Sequence, residues 1–362
     1  MACLETCFGA LDDPRACNAS HRLIDLIVIM LAASLCGAST ATEFALFAET
    51  RKAALSHLIS YDRVPSHDTF SRLLRLLDPH AFAAAFAVFA DGFSRALARR
   101  KRPALIGKVV ALDGKTLRRA YERGCQASPP LTVSAFASEA RLCLAAVTAG
   151  TEDNEVEAAL AVIHLIDLTD KIVTADALHC HHRMAEAITL QGGDFILALK
   201  ANRHQWHAAA QASFAAKRKP AMAQATVRAH GRKEWRRAEI IKATPLVMGH
   251  KAFIRVTSKR DQAEPVTRFF MASKMLSAKD ALTVTRAHWQ IENGLHWVLD
   301  VHLDEDLCRA RKDNAPANVA LLNRIARNIL QAIDLAKVPI SHRLKKCAWS
   351  DDYLVHALAH MR

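Results

Sequence analysis

Lys108-Val109-Val110-Ala111-Leu112-Asp113-Gly114 decides how the rest of the chain is read. It is a short apolar run with two β-branched residues, closed by a carboxylate and a glycine, and it predicts a buried strand ending at Asp113. Lys171-Ile172-Val173-Thr174-Ala175-Asp176 repeats the plan, with a strand ending at Asp176. Between them, Leu131 to Phe136 and Leu142 to Val147 read as two more strands. Asn154 to Leu165 reads as a helix with Val156, Leu160, Ile163 and Leu165 on its apolar side. A helix over about 181–190 and a fifth strand, Asp194 to Leu199, follow. Three strands, a crossover helix and two more strands predict a mixed α/β sheet flanked by helices.

Working outward, residues 22–98 show helical spacing of apolar positions, as in Leu23, Leu26, Ile27, Met30 and Leu31 and again in Leu73, Leu74 and Leu77. Pro65-Ser66-His67-Asp68-Thr69-Phe70 interrupts them, with Ser66 as an expected N-cap. Arg99-Arg100-Lys101-Arg102-Pro103 is read as a boundary, because the pattern changes on its far side. The expected layout is an all-α N-terminal domain over 1–100, a catalytic domain over 104–340 and a helical tail over 341–362. The catalytic domain carries a β-rich insertion at about 205–278. After 280 the chain is expected to stay helical to about 337.

The 362 residues carry 49 Lys+Arg against 36 Asp+Glu, a formal net charge of +13, which favours a polyanionic partner, nucleic acid first. The nine Cys are scattered without a CxxC pair, so neither a disulfide framework nor a cysteine zinc site is indicated. The longest apolar run, 26–38, is shorter than the roughly 18 residues of a membrane span. No membrane partner and a cytoplasmic, nucleoid-associated protein are expected.

Two Asp at the ends of neighbouring strands stand where open α/β sheets place their ligands, and hard oxygen donors suit Mg²⁺ or Mn²⁺. A strand-end Asp also serves as a helix cap or turn residue, and both readings stand. The third element is His288-Trp289-Gln290-Ile291-Glu292-Asn293-Gly294-Leu295-His296-Trp297. At 3.6 residues per turn, His288, Glu292, His296 and Asp300 share one face. This is read as a functional face, a plain amphipathic helix, or a zinc site of His288, Glu292 and His296. Gly294 costs helix stability, so something beyond propensity shaped the segment. Lys115 and Arg118 follow Asp113 and stand as phosphate-neutralising cations or as surface charges.

Several motifs together resemble the DDE-type insertion-sequence transposases, specifically the H-repeat-associated group. They are Asp12-Asp13-Pro14-Arg15, His21-Arg22-Leu23, Cys36-Gly37-Ala38 and Pro65 to Phe70 in the helical part. Beyond it come Ala111 to Thr116 with Arg118, Asn154-Glu155, Thr174 to Leu178 with Cys180, Leu199 to Asn202, and His230-Gly231-Arg232 with Glu234 and Arg236. Arg286, His288 to Asn293, Leu295 to Trp297, Leu299-Asp300-Val301 and Glu305-Asp306 complete the set. The second motif departs from the usual pattern at Ala175, Leu178-His179 and His181.

The resemblance implies a ribonuclease-H-like core in which Asp113, Asp176 and Glu292 hold two Mg²⁺ ions, with Mn²⁺ as a substitute. It implies metal-dependent cleavage and strand transfer of an insertion element, on double-stranded DNA, by a homo-oligomer. His288, His296, Arg232 and Arg236, with Lys115 and Arg118, are expected to contact phosphate or to support the carboxylates. A non-catalytic DNA-binding relic or regulator and a metal-dependent nuclease of the same fold are the competing readings.

Overall fold

The computed structural model describes residues 4–359 except 18, 57, 99–107, 121–127, 151–153, 217–218, 230–231 and 334–337. The helical part consists of α1 (Leu4–Phe8), α2 (Leu23–Leu35), α3 (Ala41–Thr50), α4 (Lys52–Leu55), α5 (His67–Leu76) and α6 (Pro79–Ala98). Next come β1 (Val109–Thr116), β2 (Leu131–Ala137), β3 (Leu142–Thr148), α7 (Glu155–His164), β4 (Ile172–Ala175), α8 (His182–Leu190) and β5 (Asp194–Leu199). Then α9 (His204–Ala215), β6 (Ala221–Ala229), β7 (Arg232–Lys242), β8 (Ala252–Arg260) and β9 (Val266–Ala272) lead to α10 (Ala278–Ala287). A π-helical turn, Glu292–His296, runs into α11 (Trp297–His302), and α12 (Ala315–Ile333), α13 (Ile340–Trp349) and α14 (Asp351–Ala359) close the chain.

One nine-stranded sheet runs in the order β3-β2-β1-β4-β5-β9-β8-β7-β6. β4 lies parallel to both β1 and β5, while β9 pairs antiparallel with β5. The expected β-rich insertion is therefore an extension of the same sheet, led in by α9. Alternation along the strands sorts side chains to two faces. Val109, Ile172, Ile196, Ala238, Ile240, Ile254 and Ala272 pack with Ala281, Leu282 and Val284 of α10. Their neighbours Val110, Val173, Phe195, Leu197, Ile241, Phe253 and Met271 face the other way, into the larger core with α7 and α8.

One continuous apolar cluster runs from Leu4 through Phe86, Val110, Ile163 and Ile325 to Leu358, so the described helices before β1 share a core with the sheet. The cause is amphipathic demand: α2 is apolar all round and wholly buried, so it must be enclosed, and α12, α3, α13 and α14 enclose it while α6 lies on β3. The tail helices α13 and α14 belong to this core through Cys347, Leu354 and Leu358. The basic boundary 99–103 lies outside the described residues. One expectation needs correction: the chain is not helical throughout 280–337, because it breaks between His302 and Ala315.

Local sequence sets several element starts. The Ser66 hydroxyl accepts from the Thr69 N–H at 3.3 Å, the cap expected for α5. Asn154 Oδ1 accepts from the N–H groups of Val156 and Glu157 at 2.9 and 3.2 Å and starts α7. Asn154→Ala should lower stability by about 0.5–2 kcal/mol, measured by urea denaturation; an unchanged midpoint would show that α7 does not need the cap. Among the described residues no single helix is long and apolar enough to cross a membrane.

Candidate active site

Register brings the two aspartates together. Leu112 of β1 is paired with Ala175 of β4, so the residues that follow, Asp113 and Asp176, leave neighbouring parallel strands at the same level. β1 does not end at Asp113, as expected from the sequence, but continues to Thr116 against β2, with Asp113 opposite Ser134. Asp113 Oδ1 accepts from the Gly114 N–H at 3.0 Å, and Asp176 Oδ1 accepts from the Leu178 N–H at 2.9 Å. Asp176 is thus a cap, and the cap uses only one of its oxygens.

Thr174 stands on the same face as Ala111, and with Asp113, Ser134 and Phe136 it makes a floor for the segment after α10. His288 Nδ1 lies 3.1 Å from the Thr174 hydroxyl, and the Ser138 hydroxyl donates to the Ala287 carbonyl at 3.1 Å. The helix then widens: the Trp297 N–H bonds to the Glu292 carbonyl, five residues back. A π-turn inserts an extra residue, so the one-face alignment of 288, 292, 296 and 300 expected at 3.6 residues per turn is broken. Gly294 explains itself here. A Cβ would stand 3.0 Å from Phe136 Cζ, and the Gly294 carbonyl accepts from Arg327 Nη2 at 2.7 Å.

Asp113 is the most perturbed carboxylate of the site. Burial pushes its pKa up to about 7, against the pull of the Gly114 N–H, and the negative charges of Asp176, Glu292 and Glu155 push the same way. Glu155 is a fourth carboxylate that residue-by-residue reasoning missed. It is the first residue of α7, and its Oε1 would lie 2.6 Å from a Cβ at position 114, which is why glycine stands there. Its signal in the sequence is the Asn154 cap, which points the next side chain at the strand ends. Buried His179 lies 3.4 Å from Glu155 Oε1.

Burial disfavours the charged form of both site histidines. Burial pushes His288 down to about 4 and His296 down to about 3, so both are neutral near pH 7. His296 Nδ1 lies 3.7 Å from Asp113 Oδ2, whereas His288 is held on Thr174. The zinc reading fails on this divergence. Among the described residues no three His, Cys, Asp or Glu side chains form a group that could hold a metal ion, and this covers the Asp113, Asp176 and Glu292 set as well as the zinc set. The site offers hard oxygen donors with excess negative charge around Asp113, a donor chemistry that fits a divalent cation such as Mg²⁺ or Mn²⁺.

The expected cations fall into two sets. Lys115 is buried, 2.6 Å from Asp300 and 2.8 Å from Asp306, and ties β1 to the segment after the π-turn. Arg118 is exposed and lies 3.4 Å from Asp306. Arg236 is buried, bound to Glu234 at 3.0 Å and stacked over Trp289 at 4.4 Å, so it too is occupied. Arg232 begins β7, and its side chain lies outside the described residues.

Residues 106–329 match the transposase DDE domain family and residues 5–90 match its DDE_Tnp_1-associated domain. The chain belongs to the DDE-domain transposases, and its sheet is the ribonuclease-H-like mixed α/β core of that family, preceded by helices. Within the family it falls in the H repeat-associated group. It is 28% identical to the H repeat-associated protein YhhI of Escherichia coli K12, over 94% of this chain and 93% of that protein. It is also 34% identical to a protein encoded in the dhlA 3′ region of Xanthobacter autotrophicus, over 70% of this chain and 88% of that protein.

Proposed function

We propose that this transposase cleaves and rejoins double-stranded DNA, with Asp113, Asp176 and Glu292 holding two divalent cations, Mg²⁺ or Mn²⁺. One observation carries the reading: the Leu112–Ala175 register brings Asp113 and Asp176 level on neighbouring parallel strands. When bound, such ions activate a hydroxyl nucleophile and stabilise the leaving oxygen at phosphorus. The chain's own part is positioning. The Gly114 and Leu178 N–H groups each fix one carboxylate oxygen and leave the other free of that bond. Phosphate oxygens of the substrate complete a ligand set that the protein leaves open. Neutral His296 sits beside Asp113 and adds no competing charge.

A strand-transfer assay with the element's own flanking ends, Mg²⁺ and a target duplex tests this reading. Joined products are expected. Hydrolysed ends without joining would instead give the nuclease reading, and DNA binding without either product the regulatory one. The division of labour in which residues 1–100 contact DNA, through exposed Arg63, His67 and Arg72, belongs to this proposal, as does homo-oligomeric assembly on DNA.

Binding should weaken steeply with salt, because each neutralised phosphate releases counterions. Six phosphate contacts give a log–log slope of about −5. A slope near zero in an anisotropy titration would remove DNA as the partner.

A further inference from the structure

Strand alternation gathers an unusual set of charges on one face of the sheet extension. Arg236 of β7 is paired with Ser258 of β8, Glu234 with Arg260, and Val256 with Arg268 of β9, so Arg236, Arg260 and Arg268 all face the Trp289 side. Their guanidinium carbons lie 4.4, 5.9 and 5.4 Å from the centre of the Trp289 ring. Among the described residues, Glu234 is the carboxylate paired with them. It bonds Arg236 at 3.0 Å and reaches Arg260 at 3.4 Å. Arg268 makes no ion pair among the described residues. Trp289 sits three residues before Glu292, and both line an open cleft of about 550 Å³ whose walls also hold Arg260, Arg268, Ser258 and Glu264.

Three cations crowded on one ring repel one another, and the paired Glu234, with Glu264 and Glu292 in the cleft wall, offsets only part of that repulsion. The ring nevertheless orders them: a guanidinium stacked on an indole keeps its edge N–H groups free for a planar fork of acceptors. Arg236 is already spent on Glu234 and is buried. Arg260 and Arg268 are exposed and lie on the cleft side. We propose that Arg260 and Arg268, preorganised by Trp289, each bind a backbone phosphate of the DNA strand that enters the Glu292 cleft. The inference rests on the DNA reading above and adds to it a site on the sheet extension, with Trp289 as the platform for the arginines.

The test uses the full chain and a labelled duplex carrying the element end, across a salt series. Arg268→Gln and Arg260→Gln should each weaken binding by about 5–10-fold at low salt and reduce the log–log slope by about 0.9, with the double variant losing about twice that. Trp289→Leu keeps every charge but frees the guanidiniums, so affinity should fall while most of the slope remains. Arg183→Gln removes the same formal charge from a guanidinium already held by Glu157 at 2.6 Å, and its slope should match the wild type. Wild-type slopes in both cleft variants, or an equal loss in Arg183→Gln, would overturn the site while leaving the DNA reading intact. A flat slope in the unaltered protein would remove the DNA reading itself, and this site with it.

Discussion

Asp113→Asn, Asp176→Asn and Glu292→Gln should each lose about 10³-fold or more in Mg²⁺-dependent cleavage while remaining folded. Removing one anionic ligand withdraws several kcal/mol of stabilisation from an in-line displacement at phosphorus. The fold should tolerate the change for a reason specific to this site. Asn at 113 keeps the oxygen that accepts from the Gly114 N–H and removes a charge that burial and three neighbouring carboxylates oppose. Its melting temperature should therefore stay at or above that of the wild type in the absence of metal. Asn at 176 likewise retains the acceptor that caps the turn at Ala177–His179. Single-turnover cleavage beside thermal denaturation reads both quantities. Any one variant that cleaves at the wild-type rate shows that its residue is not a ligand.

The second large effect concerns stability. Glu305 and Arg324 form an ion pair at 2.8 Å with 1% and 0% of their side chains exposed. Arg324 also donates to the Ala320 carbonyl at 2.8 Å and to the Ser134 hydroxyl at 2.9 Å, and Ser134 lies opposite Asp113. Glu305→Ala leaves a guanidinium buried with no counter-charge and should destabilise the chain by about 3–5 kcal/mol. Replacing both residues by Met should recover most of that loss, since a buried pair contributes little beyond a well-packed apolar replacement. Urea denaturation of the two single variants and the double variant measures the cycle. A single variant within about 0.5 kcal/mol of wild type would show that water reaches the pair and screens it.

The pieces legible in the sequence were those set by local pattern. β2, β3 and β5 announce themselves as short apolar runs, and the Asp of β4 closes its run as expected. Asp113 was legible as a site residue but not as a mid-strand one, because only the pairing of Lys115 and Thr116 with β2 carries the strand onward. The π-turn could not be read from spacing: a single extra residue in one turn leaves no mark in composition, and Gly294 alone hinted at it. Lys115 looked like a free cation because its partners, Asp300 and Asp306, are far away in the sequence. The β-rich character of 222–275 was visible, but its joining to β5 through β9 is a tertiary pairing that periodicity does not encode.

The apolar cluster that joins Leu4 to Leu358 has a consequence for how copies of such an element decay. A gene truncated within the first helices, or just before α12, would leave the apolar faces of α6, β3 and α2 without cover. Its product should unfold and be cleared by proteolysis instead of persisting as a shortened DNA-binding inhibitor. Loss by truncation should then be all-or-none at the level of the polypeptide: a shortened copy falls silent instead of lingering as a partial fold.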